Sequence, residues 1–143
     1  MKKVILTLAI VVTSLCSFAT ENVNALVLKT FNSEFTGAKD VQWTAVGSNY
    51  KASFVFNNQY VFAFYTAQGN LMAVTRNLTS LELPVSLQAS LKKEYGAYWI
   101  TNLFEISNED GVQYYITLEK SDTKIILNST GTDWNLYKKA SKI

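Results

Sequence analysis

The chain has 143 residues, 13 of them basic, 11 acidic and none histidine, a length suited to one domain or two small repeats. Its one cysteine, Cys16, together with Lys2 and Lys3, lies in an N-terminal segment expected to be removed, which leaves 11 basic against 11 acidic side chains. A neutral chain of this kind offers no basic field for nucleic acid or anionic lipid, and no disulfide, thiolate nucleophile, Cys/His zinc site or histidine acid–base chemistry.

Met1-Lys2-Lys3 followed by the uncharged run Val4 to Ala19 reads as a secretory signal over residues 1–19. Ser17-Phe18-Ala19 supplies a small-x-small cleavage motif. The apolar run is short for a bilayer span, and Leu15 is too large to precede a lipidated cysteine. The expected product, residues 20–143, is periplasmic or secreted and not inserted in a membrane.

Val23, Val27, Phe31 and Phe35 recur at i+4 and predict a helix of about three turns closed near Gly37. Val41 to Ala45 alternates as a strand, with Ser48-Asn49 as the loop into the next one. Tyr50 to Thr66 is then a hairpin about Asn57-Asn58, because asparagine tolerates the positive φ of a two-residue loop. This register sets Phe56 opposite Gln59, Phe54 opposite Val61, Ala52 opposite Ala63 and Tyr50 opposite Tyr65. Opposed residues share a face. One face is therefore a core of Tyr50, Ala52, Phe54, Phe56, Val61, Ala63 and Tyr65, joined by Val41, Trp43 and Ala45. The other carries Lys51, Ser53 and Val55 beside Tyr60, Phe62 and Phe64. Gly69 suits the left-handed position of the following loop, and its register sends Leu71 and Ala73 to the core and Met72 and Val74 to the aromatic face.

The pattern then recurs. Leu83, Leu87, Leu91 and Tyr95 form a second helical stripe opened by Pro84 and closed by Gly96. Strands follow at Trp99 to Ile106, Val112 to Leu118, around Ile125 and Leu127, and from Asp133 to Lys138. Superposing the halves sets Tyr50 on Val112, Phe54 on Ile116, Phe56 on Leu118 and Gly69 on Gly131. The predicted fold class is α+β: two tandem helix-plus-four-antiparallel-strand repeats, about residues 22–78 and 81–140. The helices pack on one face of the sheet and the opposite face is open.

Phe35-Thr-Gly-Ala38 leading into Val41-Gln-Trp43, Tyr50-Lys-Ala-Ser-Phe54 and Ala67-Gln-Gly-Asn-Leu71 resemble the PepSY-like family, also described as beta-lactamase-inhibitor-like. Leu83-Pro84, Gly111-Val-Gln-Tyr-Tyr115 and Thr130-Gly131 extend the resemblance over nearly all of residues 20–143. It implies a secreted or periplasmic domain of two helix-plus-four-strand repeats that binds proteins or inhibits hydrolases through the open face. Asn102 departs from the pattern, standing where the first repeat has Trp43.

The candidate partner-binding face is Tyr60, Phe62, Phe64, Met72 and Val74, with Tyr115, Ile126, Trp134 and Leu136 in the second repeat. Exposed apolar clusters rich in aromatics and methionine mark interaction surfaces. The expected partner is a protein or peptide, with Lys51, Arg76 and Lys124 orienting it. A small-molecule or glycan ligand stacked on the same rings, and a homodimer burying them, are the alternatives. Glu119 and Lys124 read as a cross-strand ion pair. Glu109-Asp110 reads as a turn and not as a calcium loop. The sequons Asn77-Leu-Thr79 and Asn128-Ser-Thr130 carry little weight behind a signal of bacterial type. Glu34, Asp40, Glu82, Glu94 and Glu105 share no motif, and neither a nucleophile elbow nor a phosphate loop is present. No catalytic residue, metal ligand or cofactor is therefore expected.

Overall fold

Helix α1 (Ala25–Glu34) is followed by β1 (Lys39–Val46), β2 (Asn49–Phe56), β3 (Gln59–Tyr65) and β4 (Leu71–Asn77). Then come α2 (Val85–Glu94), β5 (Trp99–Asn108), β6 (Gly111–Glu119), β7 (Thr123–Ser129) and β8 (Asn135–Ser141). This computed structural model describes residues 23–142, so the expected signal segment 1–19 and its cleavage site lie outside the described residues. The fold is α+β, with an eight-stranded antiparallel sheet whose strand order follows the chain. The chain divides into two compact units between Met72 and Ala73.

In the first unit α1 begins at Asn24. Its Oδ1 accepts from the Leu26 N–H at 2.9 Å, and its side-chain amide donates to the Ala67 carbonyl, also at 2.9 Å. The cap satisfies a helical N–H that would otherwise lack a partner. It also excludes Val23 from the predicted stripe, while Phe35 becomes the C-terminal cap. Val27 and Phe31 are the residues of the stripe that α1 buries. Phe31 meets the sheet through Trp43 and Phe54, with ring centroids 5.1 and 4.9 Å away, both edge-on. Tyr65 is fully buried and donates its hydroxyl to Glu34 Oε2 at 2.8 Å. Burial first, and the Glu34 carboxylate second, push its hydroxyl pKa well above the usual tyrosine range.

The central hairpin has the register expected of it, from Phe56 opposite Gln59 to Tyr50 opposite Tyr65. Asn57 and Asn58 both take positive φ, 51° and 62°, the backbone that a two-residue hairpin loop needs. The preceding loop is Gly47-Ser48 and not Ser48-Asn49, because Val46 pairs with Asn49 and Gly47 takes the positive φ. The shift is two residues in pairing, so Trp43 and Ala45 keep the expected face, opposite Ala52 and Tyr50. Val41 does not join the core. It lies in a bulge between Lys39 and Gln42 and is exposed.

In the second unit α2 buries Leu87 and Leu91 against Leu103, Ile116, Leu118, Ile125 and Leu127. A 3-10 turn, Ser80–Glu82, precedes it, closed by Glu82 Oε2 accepting from the Thr79 N–H at 2.7 Å. The hairpin β5–β6 turns at Glu109-Asp110, with Asn108 opposite Gly111 and the Asp110 N–H donating to Asn108 Oδ1. Glu105 and Arg76 pair at 3.0 Å. β8 begins two residues later than expected, and a bulge shifts its register between Ile126 and Leu127.

Candidate functional site

In the first unit the strands turn a second face away from α1. Ladder by ladder it holds Lys51 opposite Phe64, Ser53 opposite Phe62 and Val55 opposite Tyr60. β1 extends it with Gln42 opposite Ser53 and Lys39 opposite Val55. Tyr60 is 50% exposed, while Phe62 and Phe64 are half-buried. The Tyr60 and Phe62 rings meet edge to face at 5.4 Å. Lys51 Nζ stands 4.9 Å from the Phe62 centroid, close enough for a cation–π contact. Tyr60, Phe62 and Phe64 thus share one polar-rimmed aromatic face, as the sequence predicts.

In the second unit the face away from α2 is also aromatic, but with different members. Tyr115 and Ile126 are on it, opposite Asn128 and Thr117. Phe104 lies opposite Tyr115, and their rings stack at 5.4 Å and 10°. Tyr137 meets Tyr115 edge-on at 5.5 Å. Trp99, opposite Glu119, is 62% exposed.

Four residues expected on the aromatic face are elsewhere. Trp134 turns to the helix side: its indole N–H donates to the Leu87 carbonyl at 3.2 Å and its ring packs on the core. Leu136 pairs with Leu127, a fully buried core residue, so it shares the helix side. The β7–β8 turn sets that register, with Asn128 opposite Asn135 and Leu127 opposite Leu136, and beyond Leu136 a bulge inserts Tyr137 between the partners of Leu127 and Ile126. Val74 pairs with Ser107, and two residues on Arg76 pairs with Glu105, which pairs with Tyr114. Tyr114 packs on the core, so Val74 and Arg76 belong to the helix side as well, and alternation along β4 sets Met72, 44% exposed, on the side of Val74 and not on the aromatic face. Arg76 is held there by Glu105, which raises its pKa.

Phe104 could have been found from the sequence. Closing the hairpin at Glu109-Asp110 sets it opposite Tyr115. Trp99 and Tyr137 could not be assigned in this way, because bulges between Ile100 and Asn102 and between Ile126 and Leu127 break the alternation.

One carboxylate shares this face with several lysines. Glu119 lies 3.6 Å from Lys124 Nζ and 2.7 Å from Lys142 Nζ. The hydrogen bond from Lys142 is the chief reason that its carboxyl sits below the usual carboxylate range. A depressed folded-state pKa contributes stability above the unfolded pKa that is lost as pH falls through the folded one. Lys142→Ala should raise the Glu119 pKa toward the ordinary range, read by carbon-detected NMR titration of its carboxyl. An unchanged titration would mean that Lys142 makes no such bond in solution. Among the described residues no cluster of three or more His, Cys, Asp or Glu could hold a metal ion. Both faces offer ring surfaces beside ammonium groups, which is contact chemistry.

The fold has solved counterparts. A BLIP-like protein from Bacteroides fragilis is 16% identical, with a TM-score of 0.71 over 84% of this chain and 86% of its own. A DUF2874 family protein from Bacteroides ovatus is 18% identical, TM-score 0.74, over 85% and 89%. A protein from Bacteroides eggerthii, inferred to be periplasmic, is 15% identical, TM-score 0.72, over 83% and 88%. At these identities the likeness is one of fold, and the chain has the BLIP-like fold. No protein-family model and no curated protein matches the sequence. Among the described residues no helix is long and apolar enough to cross a membrane.

Proposed function

We propose that this is a non-catalytic binding protein of the periplasm or secreted space that grips a protein or peptide on the sheet faces turned away from its helices. The observation that carries the reading is the aromatic face of the first unit, the exposed Tyr60 with the half-buried Phe62 and Phe64, and Lys51 against the Phe62 ring. Tyrosine and other large aromatics supply most of the energy where proteins meet, and single-signed charges at the rim supply orientation. Phe104, Tyr115 and Tyr137 form a comparable group in the second unit. The BLIP-like fold supports a role in inhibition, and the signal-like N-terminus supports export. The PepSY-like resemblance and a tandem origin of the two units belong to the same reading. Phe54 and Ile116 are both fully buried, and Gly69 and Gly131 both take positive φ, as copies of one pattern would.

The test is an affinity pull-down from an envelope extract of the source cell, with wild type and the double variant Phe62→Asp with Phe64→Asp. Circular dichroism first establishes that the variant is folded. A protein retained by wild type and lost from the folded variant supports the reading. Equal retention by both, or no retention at any salt concentration, overturns it.

A further inference from the structure

We propose that the groove beside the C-terminal end of α2, on the helix side of the second unit, binds a small amphipathic carboxylate: one ring or a short alkyl chain bearing a single carboxyl group. Leu91 and Leu118 form its apolar floor, with Leu81, Ile100, Tyr95 and Tyr98 around them. Its volume is about 200 Å³, somewhat more than the apolar cavity of about 150 Å³ that accepts benzene. The occupant is therefore small.

Two features point to a ligand. Leu81 lines the groove yet is 82% exposed, and its backbone is held. The Gln88 side-chain amide donates to the Leu81 carbonyl at 3.2 Å and to the Leu83 carbonyl at 2.8 Å. The same turn is closed by the Glu82 bond to the Thr79 N–H. Ile100, across the groove, is 44% exposed. The backbone that carries Leu81 is thus held, Leu81 and Ile100 stand exposed to water around an apolar floor, and an apolar occupant would remove both from solvent.

The second feature is charge. Lys92 lines the groove and no carboxylate does. Lys120 Nζ adds a second ammonium 4.3 Å from the Tyr98 centroid. The nearby Glu94 carboxylate accepts from Ser90 at 3.4 Å. The C-terminal carbonyls of α2 are the negative end of its dipole, and Lys92 and Lys93 in the last turn offset them. Tyr95, whose phenol is protonated at neutral pH as any tyrosine's is, can donate to a carboxylate.

The probes are octanoate, octanol and octylammonium, titrated into nitrogen-15-labelled protein and followed by amide shifts. Octanoate should shift the Gly96, Ile100 and Leu118 amides saturably, about fivefold more tightly than octanol, the size of one exposed ion pair. Octylammonium should bind more weakly than either. Lys92→Glu should abolish the octanoate advantage and leave octanol unchanged, while Leu81→Asp should abolish binding of all three. Both substituted residues are exposed, and unchanged shifts elsewhere in the spectrum verify the fold. Absence of saturable shifts at these amides, shifts that survive Leu81→Asp, or equal affinity for octanoate and octanol would each overturn the proposal.

Discussion

Phe54→Ala is expected to lower the free energy of unfolding by about 3–5 kcal/mol, the usual cost of emptying a fully buried phenylalanine site. Phe54 has no exposed surface. Its ring centroid lies 4.9 Å from that of Phe31, 4.8 Å from Phe35 and 6.4 Å from Phe56. Truncation removes the ring against which α1 rests, and helix and strand can close the cavity only by giving up their own contacts. Domains of this size are commonly stable by about 5–15 kcal/mol, so the variant would sit close to its unfolding midpoint in mild urea. Val55→Ala is the matched control. Val55 is the next residue along β2, half-buried on the opposite face, and its truncation should cost less than about 1 kcal/mol. Similar losses for the two variants would contradict the face assignment of β2.

That assignment was legible because the central hairpin obeys simple rules. Asn57-Asn58 fixes a two-residue loop, strict alternation follows, and each side chain from Tyr50 to Tyr65 falls on the face that parity gives it. The helical stripes were legible for the same reason: Val27, Phe31, Leu87 and Leu91 recur at helical spacing and are buried. Their outer members were not. Nothing in the spacing of Val23 reveals that Asn24 caps α1 by bonding both Leu26 and Ala67.

The aromatic face of the second unit was legible only in part. Tyr115 and Ile126 stand where parity puts them, but the β7–β8 turn sets Leu136 opposite the buried Leu127, and a single extra residue in β8 then brings Tyr137 to the face. Bulges leave little trace in one sequence, since the inserted residue can be as apolar as its neighbours. Trp134 misled for a different reason. It lies just before β8, where alternation no longer applies, and its indole N–H reaches a helix carbonyl. Buried tryptophans characteristically find such a partner. Glycan stacking therefore loses the platform expected of Trp134, and Trp99 is the exposed indole on the face in its place.

Gly69→Ala should be nearly as damaging as the core truncation, through backbone geometry and not apolar area. Gly69 holds φ at +85°, where an L residue costs about 1–2 kcal/mol. A Cβ built there would stand 2.9 Å from the Leu26 carbonyl oxygen and 3.0 Å from its carbon. Leu26 cannot yield cheaply. Its N–H is held by the Asn24 cap, its carbonyl accepts from Thr30 Oγ1 at 3.0 Å, and Asn24 also binds the Ala67 carbonyl two residues before the glycine. Relieving the clash strains the cap, the first turn of α1 or the loop, and the combined loss should be about 3 kcal/mol. Gly47→Ala separates the two contributions. Gly47 also has positive φ, +61°, but nothing lies within 4 Å of its added Cβ, so only the conformational cost of about 1 kcal/mol applies. Urea unfolding of the two variants measures the difference directly. Equal losses would mean that α1 does not pack against the Gly69 loop as closely as these distances require. A loss at Gly69 about three times that at Gly47 would establish the close approach of helix and loop, which fixes how α1 lies over β2 and β3.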